Sequence, residues 1–472
     1  MVHPAPSELV VLHLGLGSFH RAHQAVYLQA LIDAGDTRWS IAGANLRADM
    51  AEVEAALIRQ GGAYTLETVS PAGEYRYQRI ESIREVLPFD PALAAVIARG
   101  ADSRTRVISF TVTEAGYYLD PTDRLDFGAP DLAADLDRAR RGEAGTTIYG
   151  AVCSILRARR AAKGGAVTLL NCDNLRHNGE RFRKGLLAFV EKTGDRQLLE
   201  WLCKQTTCPN AMVDRITPRP PPELRQRVMQ ATGWDDAAPV TGESFIQWVI
   251  EDDFANGRPD WGRVGVQLVE SVAPYEEAKI RILNASHSCI AWAGTLAGFQ
   301  YIHEGTHDAQ IRRMAFDYVT DDVIPCLHSP ERPSPVDLPA YRDVVLERFG
   351  NPAIRDTNQR VAMDGFSKIP GFIAPTVRER LAGNASIGSV AMLPALFLAF
   401  LQCWHRGALP YVYQDQGMDE AAAHAICDAA DPVGALAANR TLWGDIAGDA
   451  RLVEALRKAD AQVQAFIRGR AA

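Results

Sequence analysis

The stretch Leu9-Val-Val-Leu-His-Leu-Gly15-Leu-Gly17-Ser-Phe19-His20-Arg-Ala-His23-Gln24 decides how the first half of this chain is built. Residues 9–14 are a short apolar run ending at glycines, which predicts a buried strand. From Phe19 to Ala34 the spacing turns helical, and Gly35 closes it. Strand, Gly-x-Gly turn and helix in this order open a dinucleotide-binding fold. Gly15 permits the tight turn, Gly17 lets a pyrophosphate approach the backbone, and the helix start offers free amides and a positive dipole end. The third glycine of the usual pattern is missing and His20 stands in its place. The motif by itself is therefore also compatible with a plain glycine turn.

Working outward, Trp39–Ala44, Arg106–Val112 and Val167–Leu170 read as further strands, with helical patterns between them at Asp49–Gln60 and Pro91–Arg99. Such alternation predicts βαβ units around a parallel sheet. From about Ala278 the periods are almost all helical: Ala278–Ala297, Thr306–Val323, Tyr341–Phe349, Ala391–Arg406, Asp419–Ala429 and Ala450–Arg468. The proline-rich segment His328–Pro335 reads as a surface loop. The expected fold class is α/β: a Rossmann-type dinucleotide-binding domain with a parallel-sheet core over residues 1–273, then a mainly α-helical domain over 274–472. The end of the second strand, Asn45-Leu-Arg47-Ala-Asp49, is where an adenosine ribose would lie. Asp49 there favours NAD over NADP, Arg47 beside it tolerates either, and capping of the next helix is the plainer role for Asp49.

The chain has 472 residues, 47% of them hydrophobic and 23% charged, which suits a globular protein with a large core. A net charge of −8 argues against nucleic-acid and anionic-membrane partners. Eight scattered cysteines without a CxxC pair read as free thiols in a reducing compartment. Residues 1–11 lack the basic and apolar regions of a signal peptide, so a cytoplasmic location is expected. Val390–Leu401, the most apolar run, is too short to span a bilayer and reads as a buried helix.

Several blocks carry a resemblance. Gly15-Leu-Gly-Ser-Phe-His-Arg-Ala-His-Gln24, Thr111-Val-Thr-Glu-Ala-Gly-Tyr117, Asn171-Cys-Asp-Asn174 with His177-Asn-Gly179, Met212-Val-Asp-Arg-Ile-Thr-Pro218, Lys279-Ile-Arg-Ile-Leu-Asn284-Ala-Ser-His287 and Arg360–Lys368 stand in that order. Together they resemble the polyol-specific long-chain dehydrogenases, the mannitol dehydrogenase family. The resemblance covers nearly the whole chain. It implies a two-domain enzyme with its active site in the interdomain cleft, no metal, NAD as hydride acceptor, a polyol or ketose as substrate, and a monomer by family habit. Its finer detail, at 168–174, 245–249 and 274–294, implies oxidation of D-arabinitol at C4 to D-xylulose. Oxidation of mannitol at C2 and reduction of a hexuronate are the alternatives on the same scaffold.

The chemistry needs a proton acceptor and a group to polarise the developing carbonyl. Lys279 is the expected base, its pKa lowered by burial and nearby cations. If its block is helical, Glu276, Lys279, Asn284 and His287 span an arc of about 140° on one face. Asn284 and Asn174, the latter at a strand end, would donate to the reacting oxygen. His287 would bind a neighbouring hydroxyl, and Glu276 would relay protons. The resemblance adds Asp214, Arg360 and Lys368 as substrate or supporting residues. Phe19 and His20 are expected beside the phosphates, and Thr113, Glu114, Gly116 and Tyr117 at the nicotinamide end.

Each of these has a duller reading: a solvated lysine, a core histidine, Asp214 as an ion partner of Arg215 or Arg281. His303-Glu-Gly-Thr-His307 also matches the HExxH zinc pattern. It is disfavoured because Gly305 weakens a helix and no third ligand is marked downstream.

Overall fold

The computed structural model describes residues 9–120 and 122–471. The apolar run at 9–14 is the first strand of a six-stranded sheet. β1 (Leu9–Leu14), β2 (Trp39–Ala44), β3 (Ile83–Leu87), β4 (Thr105–Phe110), β5 (Val167–Asn171) and β6 (Thr206–Thr207) lie in the order β3-β2-β1-β4-β5-β6, with every neighbouring pair parallel. This is the doubly wound order, whose strand sequence reverses beside β1.

Such a sheet is covered on both faces, so its strands have no polar side to show. Leu12, Ala42, Ile108 and Leu169 join one core, while their chain neighbours Val11, Ile41, Val107 and Leu170 join the other. That is why these strands read as continuous apolar runs. β3 was not foreseen, nor were two three-stranded sheets beside the main one. Tyr64–Val69 pairs with Tyr75–Ile80 and Val240–Glu243, and Gln247–Glu251 pairs with Ala211–Asp214 and Gln267–Val269.

One buried cation clamps the N-terminal ends of β4 and β5. Arg159, 0% exposed, donates through all three guanidinium nitrogens to five carbonyls: Gly100 and Asp102 before β4, and Gly164, Gly165 and Ala166 before β5.

The helix expected over Phe19–Ala34 is two helices, Ser18–Ala22 and Gln24–Asp33. The break is at His23, whose backbone (φ −129°, ψ −86°) leaves the helical region. Its ring packs on Phe19, Tyr27 and Trp248, and its Nε2 meets the Gln247 carbonyl at 2.9 Å. Tertiary packing overrides the local helical preference.

Contacts divide the chain into two units. One extends to Ser70 and resumes over Glu74–Ala273, and the other takes in Pro71–Gly73 and runs from Pro274. The second unit contains no strand among the described residues. Met392–His405, which carries the apolar run, is buried from Met392 to Leu401. Among the described residues no helix is long and apolar enough to cross a membrane.

The block expected as one helix over Ala278–Ala297 is a helix Ala273–Ala278, a π-helical turn Lys279–Asn284 and a helix Ala285–Leu296. Two more π-helical turns, Tyr318–Val323 and Ile369–Ile373, interrupt later helices. Such turns are rare and cluster at functional sites.

Candidate active site

The Gly15–Gly17 turn opens onto a cavity of about 300 Å³ in the first unit. Gly15, Gly17, Phe19, His20, Arg47, Asp49, Thr113 and Gly116 all line it. The Glu114 side chain lies outside the described residues. Gly15 has φ +118°, which only glycine adopts without strain. Gly17 has an ordinary backbone (φ −66°, ψ 172°), and a Cβ added there meets no protein atom within 4 Å. Nothing inside the protein demands a glycine at 17, so the space it leaves suits a pyrophosphate drawn onto the backbone. Asn45 braces the turn by accepting from the Leu16 amide at 2.9 Å and donating to Glu54 at 3.2 Å. His20 stacks on His13 with ring centroids 3.4 Å apart, and burial keeps both neutral, His13 being pushed down to about 3.

Two features of this cavity were not expected. Tyr118, rather than Tyr117, lines it. Tyr117 is 0% exposed and belongs to a buried network below, where its hydroxyl donates to Asp173 at 2.6 Å and accepts from Asn171 Nδ2 at 2.6 Å. Burial raises the Asp173 carboxyl to about 6 against the pull of these donors. Asn174, the exposed residue after it, lies just beyond the C-terminal end of β5, where open α/β sheets hold their ligands.

The second feature is the wall formed by Thr146, Thr147 and Ile148. Buried Asp135 holds it by accepting from the Thr146 amide at 2.9 Å and the Thr147 amide at 2.6 Å. Asp135→Ala strands both amides, at a cost of about 1–3 kcal/mol each where buried. The expected result is a rise of about tenfold in KM for NAD, with Asp135→Asn in between. A KM within twofold of the parent would show that the wall does not depend on this carboxylate.

In the second unit Lys279 is 8% exposed and Glu276 5%, so neither is a solvated surface residue. An unbroken α-helix would set Lys279 and Asn284 at opposite edges of the ~140° arc. The π-helical turn changes this. Its i→i+5 bonding, seen where the Ala285 amide donates to the Ile280 carbonyl, brings residues five apart to about one turn. Lys279 and Asn284 therefore lie closer to one face than an α-helix would place them. Ser288 Oγ donates to the Asn284 carbonyl at 3.0 Å.

His287 stacks on Phe349 with centroids 4.3 Å apart, and its Nε2 lies 3.3 Å from the Asp356 carboxylate. Arg360 donates to the same carboxylate through Nε (2.6 Å) and Nη2. Burial by itself would raise the Asp356 carboxyl, but His287 and Arg360 outweigh it and hold it far below the usual carboxylate range. Lys368 Nζ donates to the Val361 carbonyl; burial pushes it down to about 8, with Arg360 adding to the fall and Asp364 and Asp415 opposing it. Asp214 is buried in the first unit at the end of the Ala211–Asp214 strand, opposite Gln247.

The Mannitol dehydrogenase Rossmann domain matches residues 9–263, and the Mannitol dehydrogenase C-terminal domain matches 271–464. The chain belongs to the mannitol dehydrogenase family.

Within this family the chain is 59% identical to the D-arabinitol 4-dehydrogenase of Ralstonia nicotianae over 460 residues, 97% of each protein. It is 55% identical to the D-arabinitol 4-dehydrogenase of Klebsiella pneumoniae over 461 residues, 98% of this chain and 99% of the other. Among solved structures, the ternary complex of Pseudomonas fluorescens mannitol 2-dehydrogenase with NAD and D-mannitol superposes with a TM-score of 0.81 at 33% identity, covering 98% of this chain and 94% of that one. As a mannitol dehydrogenase family member the chain is an NAD-dependent polyol dehydrogenase.

In this family member the HExxH match has a structural role. Glu304 caps the Ile302–His307 helix by accepting from the Gln300 and Tyr301 amides at 2.9 and 2.7 Å, so its carboxylate is committed to backbone. Among the described residues no three His, Cys, Asp or Glu side chains converge as metal ligands. Asp356 is the functional candidate that sequence reasoning missed. A lone aspartate before a short helix carries no pattern, and only its spacing of four from Arg360 hinted at it.

Proposed function

We propose that the protein oxidises D-arabinitol at C4 to D-xylulose with NAD, using Lys279 as the general base and no metal. The observation that carries this reading is the burial of Lys279 on a π-helical turn that brings it towards the face of Asn284, in a chain whose blocks match D-arabinitol 4-dehydrogenases over almost their full length. NAD, when bound in the cavity beside Gly15 and Gly17, supplies the hydride acceptor. Lys279 Nζ, unprotonated, takes the hydroxyl proton as the carbinol C–H bond breaks. Asn284 and Asn174 donate to the oxygen as it gains carbonyl character, a role that fixed amide dipoles perform without reorganising. Glu276, within one turn of Lys279, passes the proton onward. His287, Asp214, Arg360 and Lys368 hold the other hydroxyls. The first unit serves as the cofactor domain and the second as the substrate domain, in a cytoplasmic monomer.

Purified protein assayed for NADH formation should prefer D-arabinitol over xylitol, ribitol, D-mannitol and D-sorbitol by kcat/KM, and be indifferent to chelator. NAD should outperform NADP, because the Asp49 carboxylate on the cavity wall repels a 2′-phosphate. Better turnover of D-mannitol would end the substrate assignment, and loss of activity on chelation would end the metal-free mechanism.

A further inference from the structure

The Nε–Nη2 fork of Arg360 is already occupied, although the side chain is 64% exposed and its Nη1 end stays open. A guanidinium is the side chain best shaped to receive a carboxylate with two parallel bonds, and that is how an anionic sugar would be held in a site of this kind. Here Nε and Nη2 both donate to the two oxygens of Asp356, a carboxylate only 8% exposed. Asp356 is pinned in turn. Its own carbonyl accepts from the Ile302 amide at 2.9 Å, and the chain beyond it bridges Tyr301 to Thr357. His287 Nε2 lies 3.3 Å from the same carboxylate.

We propose that Asp356 is a specificity-determining residue that makes the site select uncharged sugars, by taking the Nε–Nη2 edge of Arg360 and compensating its charge against a substrate carboxylate. The inference rests on Arg360 belonging to the substrate shell, as proposed above. It deepens that reading by stating why a scaffold with Lys279, Arg360 and Lys368 near its chemistry takes polyols and turns away sugar acids. The Lys368 ammonium does not restore an acid receptor, because Asp364 and Asp415 stand near it and its Nζ donates to the Val361 carbonyl. Removing the Asp356 charge should leave Arg360 as an uncompensated guanidinium with two more free donors.

The test compares the KM for D-arabinitol with the inhibition constant for D-arabinonate, the matched five-carbon acid, in wild type, Asp356→Ala, Asp356→Asn, Arg360→Gln and the double variant Asp356→Ala/Arg360→Gln. In Asp356→Ala the ratio of Ki for the acid to KM for the polyol should fall at least about tenfold, with a smaller fall in Asp356→Asn. The double variant should return to the wild-type ratio. In Arg360→Gln alone the Ki for the acid should stay within about threefold of wild type, because its charge was compensated from the start.

An unchanged ratio in both Asp356 variants overturns the proposal, as does a fall that persists in the double variant. If the Asp356 variants do not fold, Arg360→Gln still decides: a tenfold weaker Ki for the acid would mean the wild-type fork already receives carboxylates. Wild-type turnover separates the two levels. D-arabinitol oxidation with unchanged ratios sinks only the role of Asp356. A wild type that reduces a hexuronate and ignores polyols sinks both readings.

Discussion

Replacing Lys279 with methionine should lower kcat/KM for the polyol by at least about a thousandfold, with little change in NADH binding. General-base catalysis by a positioned side chain contributes about 10²–10⁴ in rate. Lys279 is 8% exposed, so bulk water is poorly placed to replace it. Methionine keeps most of the volume, which guards against collapse of the π-helical turn. NADH binding, read by fluorescence titration, should hold because the cofactor cavity is lined wholly by residues of the first unit. Small primary amines added to Lys279→Ala, where space is left for them, should recover part of the rate in proportion to their basicity. A variant that keeps more than a tenth of wild-type kcat/KM would remove Lys279 from the chemistry.

The largest effect on stability is expected from Arg159→Leu, with a loss of about 3–5 kcal/mol and a fall of roughly 10 °C in Tm. The reason is the five carbonyls at the starts of β4 and β5 that take their hydrogen bonds from this one side chain. Leucine fills the apolar stem but strands the carbonyls, each of which then carries its own desolvation penalty. Arg159 has no acidic partner among these contacts, and burial lowers its pKa to about 10, which leaves it charged at neutral pH. Arg159→Lys should fall between the two, since one ammonium has three donors and no fork. The clamp sits at the strand starts, whereas Gly15 and Asn174 follow strand ends. Whatever fraction of the variant folds should therefore keep the wild-type KM for NAD. Calorimetry on the variants settles the first point and steady-state kinetics the second.

How much of this was legible in the sequence depends on the length of the signal. β1, β2, β4 and β5 were readable because both faces of a parallel sheet are buried, and each strand is then an unbroken apolar run. β3 mixes Arg84 and Glu85 into five residues and hides from that rule. The strands at Ala211–Asp214 and Val240–Glu243 have four residues each, too few for a period to register. The break at His23 is invisible because it is set by Trp248 and Gln247, more than two hundred positions away.

The cofactor wall was legible at Gly15–Gly17 and at Asp49, where backbone freedom and charge have local meaning. Thr146 and Thr147 were not, since their place depends on Asp135 eleven and twelve residues earlier. The lysine block was read as a helix, and its helical character is correct, but an α-helical period was assigned where the turn is wider. The apolar run Lys279-Ile-Arg-Ile-Leu-Asn284 contains no glycine or proline to announce the change.

That wider turn constrains how this enzyme can drift. A π-helical turn holds one residue more than the α-turn it replaces. Losing any single position between 279 and 284 would let the segment relax to ordinary pitch, swinging the base by about 100° and drawing it in by about 1.5 Å relative to His287. The side chains between Lys279 and Asn284 can be exchanged one at a time, but the letter count of the block cannot change. Length variants there should be absent from any functional library, even where single substitutions at positions 280–283 survive.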